Sequence, residues 1–268
     1  LGLHVCYDLN DAENLSDFDT DKSTEHNARA LRDEVVKIAG GGRGVRGSLS
    51  SRRKIVAIGH SKGAVDFAAA LSLYPEIRPH VACHVSVQGP HGGTPLINDL
   101  WKTRVQKDFA MVGLDVLGAG PEALVDMTYR ARREFYDAHG GYPWKDVPTV
   151  CVASHDDRVF LGSLSLGQGP ILLKPVIEYI KLRYNKRCDG CVCTEDAVLP
   201  GSFVVRLNDM DHFGPAYRSF PASDPYDPCR LCLALTALVL GEEEEEEEEG
   251  EGEAEDRFSG RLNKKALC

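Results

Sequence analysis

The stretch Lys54 to Leu71, KIVAIGHSKGAVDFAAAL, constrains the fold more than any other part of the chain. Lys54 to Ile58 is apolar and β-branched enough for a buried strand. Gly59-His60-Ser61-Lys62-Gly63 follows, a G-x-S-x-G pentapeptide, and then an Ala-rich run of helix formers. A strand that turns through G-x-S-x-G into a helix is a nucleophile elbow, with the serine on strained backbone at the strand's end and its Oγ exposed. Both glycines read as positions where a Cβ would collide with the neighbouring chain. The helix opening near Lys62 aims its free N–H groups at negative charge developing beside Ser61. The bare pentapeptide would equally describe an N-cap serine after a glycine turn. The strand before it and Ala68-Ala69-Ala70 after it favour the elbow.

The flanks extend this to an α/β pattern. Leu1 to Tyr7 reads as a strand and Asp8 to Lys22 as an acidic loop. Ser23 or Thr24 caps a helix to about Ala39, with Ala28, Leu31, Val35 and Ile38 on one face. Gly40 to Arg53 is a Gly/Ser/Arg-rich loop. Beyond the elbow helix, Pro75 and Pro79 act as breakers and Ala82 to Val87 is the next strand. Alternating strands and helices predict a mostly parallel sheet flanked by helices. Residues 96–145 interrupt the alternation with helical material, a lid-like insertion at the carboxyl end of a strand. Further strands are predicted at Val147–Ser154 and Ser202–Leu207. Helices are predicted at Pro170–Tyr184, kinked at Pro175, and at Pro225–Leu240. One α/β domain over 1–240 is expected, followed by a disordered acidic tail over 241–268, where Glu242 to Glu249 is an unbroken glutamate run.

That tail explains the charge. It carries 12 of the 41 acids and 4 of the 31 bases, or −8, which leaves −2 on the other 240 residues. A near-neutral body has no electrostatic footprint for nucleic acid. No apolar run is long enough to span a membrane, and LGLHVCY is too short for a signal peptide. An odd count of nine cysteines without regular spacing reads as free thiols in a reducing compartment, so the expected location is intracellular, cytoplasmic or plastid. Two C-x-x-C pairs, Cys188/Cys191 and Cys229/Cys232, have zinc-ligand spacing. Cys229 and Cys232 lead into an apolar helix, however, and read as core-facing, so no metal is expected.

An activated serine needs a histidine base and a carboxylate to orient it, and in a sheet of this kind both follow the serine in the chain. Of the nine histidines, His212 follows the last predicted strand, in Asp209-Met210-Asp211-His212-Phe213. His60 lies inside the elbow and points away from Ser61 Oγ. Two places compete for the acid. Asp157 follows the strand ending near Ser154, the more usual position by strand counting. Asp189, in Cys188-Asp189-Gly190, lies 23 residues before His212. Asp211 stands too close to His212 to orient its ring.

Four stretches carry a resemblance to a known family: GHSKGAVDFAAALSLYP, VSVQGPHGGTP, ALVDMTYRARREF, and CDGCVCTEDAVLPGS followed by DMDHFGP. They resemble the α/β-hydrolase superfamily, its lipase and esterase branch, and most of all the lipase-like α/β-hydrolase proteins of plants and green algae. The resemblance covers about Leu1 to Leu240. It implies an α/β-hydrolase fold and a triad of Ser61, Asp189 and His212, with Asp189 in place of the family's D-G-[LM]-V aspartate; Cys191 stands where the family has Leu or Met. It implies no metal or organic cofactor and a small-molecule or lipid ester as substrate. The family's oxyanion hole uses the amide after the nucleophile, here Lys62, and a second donor from a loop after an early strand. Nothing before Ser61 fits that loop, so the expectation is that the early strands lie upstream of Leu1. The reading is therefore a serine esterase or lipase-type hydrolase. Its rivals are a non-catalytic binding or scaffold module on the same fold and an acyltransferase.

Overall fold

The computed structural model describes residues 19, 21–40, 55–100, 121–157, 173–216 and 227–246. Its centre is a parallel sheet of β1 (Ile55–His60), β2 (Val81–Val87), β3 (Thr149–His155) and β4 (Phe203–Asn208), in the spatial order β1-β2-β3-β4. The predicted strands over Ala82–Val87, Val147–Ser154 and Ser202–Leu207 thus appear within a residue or two of their expected bounds. The strand expected over Leu1–Tyr7 lies outside the described residues.

β2 and β3 are buried almost throughout, and alternate residues serve opposite faces. Cys83, Val85, Val87, Val150 and Val152 join Val205 and Leu235 in one core cluster. Leu235 belongs to α7 (Pro228–Glu246), which therefore covers that face. On the opposite face, Cys151 joins Phe67 to Leu71 of α2 (Lys62–Leu73). Ala28 and Val35 of α1 (Thr24–Ala39) complete that layer. Helix α1 starts as its sequence dictates: Ser23 is the N-cap, and its hydroxyl accepts the His26 amide at 3.2 Å.

Between β2 and β3 lie α3 (Pro95–Leu100), α4 (Pro121–Asp126) and α5 (Tyr129–Ala138). Of the lid-like insertion expected over 96–145, residues 101–120 lie outside the described residues. Its later part is a core element, because Phe135 and Tyr136 of α5 pack against the α2 cluster.

Helix α6 (Leu173–Tyr184) carries Pro175, and residues 170–172 of the predicted helix lie outside the described residues. Two local expectations need correction. Cys229 and Cys232 are exposed near the start of α7 and do not face the core. Helix α7 also runs past Leu240 to Glu246, into the glutamate run, since glutamate is a good helix former; residues 247–268 lie outside the described residues. Among the described residues, no helix is long and apolar enough to cross a membrane.

Candidate active site

The site forms where β1 ends. Ser61 extends the parallel ladder by donating its amide to Val87 O at 2.9 Å, and then the backbone reverses. Ser61 has φ 53° and ψ −125°, a conformation that costs a non-glycine residue on the order of 1–3 kcal/mol. Helix α2 starts at the next residue. This tightness explains Gly59: a Cβ there would lie 2.7 Å from both Cα and N of Ala64. Gly63 corrects the sequence reading, since a Cβ at that position meets nothing within 4 Å. Gly59→Ala is therefore expected to destabilise the fold by about 1–3 kcal/mol through overpacking. Gly63→Ala is expected to be neutral or stabilising by up to about 1 kcal/mol through helix propensity. Urea midpoints of the two variants check the contrast.

His212 stands in the loop after β4. Its Nε2 is 2.9 Å from Ser61 Oγ and its Nδ1 is 2.9 Å from Asp189 Oδ2. Ser61, His212 and Asp189 thus form one hydrogen-bonded chain from residues spread over 151 positions. With the ring proton on Nδ1, facing the carboxylate, Nε2 is free to accept from the serine hydroxyl. Asp189 and His212 are only 1% and 5% exposed.

The carboxylate reaches this place by an unexpected route. Asp189 is not at a strand end but in the loop between α6 and β4. Two backbone bonds tie that loop to the strand ends: the Asp156 amide, just after β3, donates to Cys188 O at 3.1 Å, and the His212 amide donates to Asp189 O at 2.9 Å. Asp189 Oδ1 accepts the amides of Cys191 and Val192 at 2.9 and 2.7 Å, which leaves Oδ2 for the imidazole. The tight turn needs Gly190, at φ 104°. Asp157, the strand-end alternative, instead faces His155 Nε2 at 3.5 Å and Arg187 Nε at 3.3 Å. Asp211 shapes the histidine loop: its Oδ1 accepts the amides of Phe213 and Gly214, both at 2.9 Å.

Sequence reasoning missed Gln88. It ends β2 at φ 52°, fully buried. Its Nε2 donates to Ser154 Oγ and, at 3.0 Å, to Asp211 O, while its Oε1 lies 3.0 Å from His60 Nε2. One amide thus braces the elbow, the end of β3 and the histidine loop. Its only sequence signal is a polar residue closing an apolar strand. His60 completes the brace: its Nε2 is also 3.0 Å from His212 O, and its ring lies 4.9 Å from the His212 ring. Burial, and then the charge His212 can carry, lower the His60 pKa to about 4, so His60 is neutral at neutral pH and its Nε2–H serves both acceptors. Gln88→Leu keeps the volume but strands two buried polar partners, Ser154 Oγ and Asp211 O, and leaves His60 Nε2 its bond to His212 O. It is expected to cost about 1–3 kcal/mol of stability and to loosen the His212 loop, with the denaturant midpoint and amide exchange at His212 as readouts.

Lys62, the candidate oxyanion donor, sits at the N-terminus of α2 with its side chain drawn along the helix to Asp66 at 2.7 Å. The segment after β2 offers little beside it. The amides of His91, Gly92, Gly93 and Thr94 donate to Gly89 O, Asp196 O, Pro90 O and Met127 O. Among the described residues, no group of three or more His, Cys, Asp or Glu is placed to hold a metal ion.

No protein-family model matches the chain, and no curated protein matches its sequence. Solved structures do match it. The mature lipase of Bacillus licheniformis aligns with a TM-score of 0.54 at 22% identity, covering 72% of this chain and 69% of that one. A metagenomic carboxyl esterase aligns at 0.61 and 24%, covering 83% and 63%. The lipase of Staphylococcus hyicus aligns at 0.55 and 12%, covering 84% of each chain. At such identities the likeness is one of fold. With a parallel sheet flanked by helices and a strained serine at the turn from β1 into α2, this chain fits the α/β-hydrolase fold of those lipases and esterases.

Proposed function

We propose that the chain is a serine hydrolase of carboxylic esters. The observation that carries this reading is the hydrogen-bonded chain Ser61–His212–Asp189, built on a strained backbone turn that presents Ser61 Oγ to the imidazole. In this reading His212 Nε2 takes the Ser61 proton as Oγ attacks the ester carbonyl, then returns it to the leaving alkoxide. Asp189, fixed by two amides through its other oxygen, holds the ring and stabilises the imidazolium. Water enters by the same route in reverse and releases the acid. The Lys62 amide, at the positive end of α2, is the first donor to the oxyanion. No metal or organic cofactor takes part. Small-molecule and lipid esters are both substrates in this reading, and a panel of short and long acyl esters ranks them.

Labelling by a fluorophosphonate tests the reading. The reagent phosphonylates only an activated serine, so wild type should be labelled and Ser61→Ala should not. Failure of the folded wild type to react would favour a non-catalytic module on the same fold. Labelling with no release of acid, but with an acyl group passed to an added alcohol, would favour an acyltransferase.

A further inference from the structure

The loop that carries Asp189 also carries three thiols, Cys188, Cys191 and Cys193, all unlinked in this structure. Cys188 and Cys193 face each other as an isolated antiparallel bridge. Two backbone bonds bracket them: the Asp189 amide donates to Val192 O at 3.1 Å and the Thr194 amide to Arg187 O at 3.0 Å. That pattern makes Cys188 and Cys193 a non-hydrogen-bonded pair, the register in which facing Cα atoms approach to about 4.5 Å and side chains stand closest. Disulfides span Cα separations of about 4.4–6.8 Å. Both side chains also lie in one apolar cluster with Leu173, Ile177 and Ile180. We propose that Cys188 and Cys193 are a disulfide-forming pair, whose oxidation closes a covalent ring around the turn that presents Asp189.

Cys191 is the wrong partner for either. Its amide is committed to Asp189 Oδ1 at 2.9 Å and its carbonyl accepts the Thr94 hydroxyl. Pulling its sulfur toward Cys188 or Cys193 would dismantle the turn that the Cys188–Cys193 link leaves in place. The chemistry is thiol–disulfide exchange with a small disulfide such as oxidised glutathione. One cysteine thiolate attacks the reagent, forming a mixed disulfide and releasing one reduced thiol. The second thiolate then displaces the other half. One S–S bond forms in the protein, one breaks in the reagent, and two electrons pass to the two released thiols with the two protons. Burial governs when this happens. It pushes the Cys188 thiol up to about 12 and the Cys193 thiol higher still, and both side chains are closed to solvent. Exchange therefore waits for the loop to open or for the chain to fold. Once closed, the ring fixes both contacts of Asp189 with the histidine loop, the backbone one and the carboxylate one. The pairing itself does not rest on the hydrolase reading; only a gain in site rigidity that matters for turnover does.

The test refolds the full chain in two buffers, one with oxidised and reduced glutathione and one with dithiothreitol, and alkylates the remaining thiols. The tryptic peptide from Cys188 to Arg206 holds all three cysteines. In the glutathione sample only Cys191 should be alkylated, and Tm should rise by about 4–8 °C over the reduced sample. Reductant should reverse both changes. Cys191→Ser should behave like wild type, and Cys193→Ser should lose the rise in Tm. Alkylation of all three cysteines after oxidative refolding would overturn the proposal. So would protection of Cys191 with Cys188 or Cys193 modified, or glutathione left attached. These readouts are independent of ester turnover, so they stand whether or not Ser61 proves to be a nucleophile.

Discussion

Ser61→Ala should lower ester turnover by about 10⁶-fold while leaving the melting temperature close to wild type or higher. The size follows from how the three side chains act. His212 has a proton to take only when Oγ offers one, and Asp189 orients a ring that then has no task. His212→Ala should therefore cost about as much as Ser61→Ala, and the double variant should cost no more than either. Asp189→Asn should cost about 10⁴-fold, because the amide's NH₂ favours the wrong imidazole tautomer. Stability need not fall with activity. Ser61 holds φ 53° at a site where alanine loses no packing, and its Oγ lies 2.9 Å from a single described partner, His212 Nε2. The measurement is kcat on an activated ester, normalised by fluorophosphonate titration of wild type. A Ser61→Ala variant with appreciable turnover would remove the nucleophile from the proposed mechanism, and additive losses in the double variant would separate Ser61 from His212.

The strands and helices around the sheet were legible because their signals are local: runs of β-branched residues, an Ala-rich helix, and a serine cap at Ser23. The elbow was legible for the same reason, although Gly59 and Gly63 looked equivalent and differ by whether Ala64 stands in the way. The order of serine, acid and histidine also lies on the surface of the sequence. The position of the acid does not show in strand counting; it reads as Asp189 from the Cys188-Asp189-Gly190 segment and the resemblance that segment carries. Counting strands points to Asp157, whereas the imidazole meets Asp189, because a loop after α6 doubles back and is tied to β3 by the Asp156 amide. Such a tie joins residues distant in the chain and leaves no local periodicity. Gln88 was illegible for the same reason: a polar residue at a strand's end gains its meaning only from Ser154, Asp211 and His60, which folding brings to it. Cys229 and Cys232 erred in the opposite direction, since hydrophobic neighbours in sequence do not fix which side of a helix faces the core.

The second large effect is acid unfolding centred on buried histidines. His60 is lowered to about 4 by burial and by the nearby His212, and His84 is lowered to about 3 by burial alone. Burial first, then the charges His84 and Arg132 can carry, also depresses His91. The ordinary value in an unfolded chain is about 6.5. Between about pH 6.5 and 4 the unfolded chain therefore binds protons at these rings that the folded chain refuses, and stability must fall as pH falls. Above about pH 6.5 both states hold neutral rings and the effect vanishes. For His60 and His84 together the loss is several kcal/mol in order of magnitude, a large share of the 5–15 kcal/mol that holds a typical domain. Neither ring tolerates charge in place. Among the described residues, His84 has one hydrogen-bond partner, Tyr142 OH at 3.2 Å from Nδ1, and its buried Nε2 has none. His60 serves acceptors through Nε2, and its charge would sit 4.9 Å from the His212 ring. Melting followed by circular dichroism from pH 8 to 4 should show a plateau above about 6.5 and a progressive drop below it. His84→Phe, which keeps the ring and cannot be protonated, should flatten the drop, although it forfeits the Tyr142 bond. An unchanged slope in that variant would place the acid sensitivity elsewhere, and a flat wild-type profile down to pH 4 would show that these rings accept protons without unfolding the sheet.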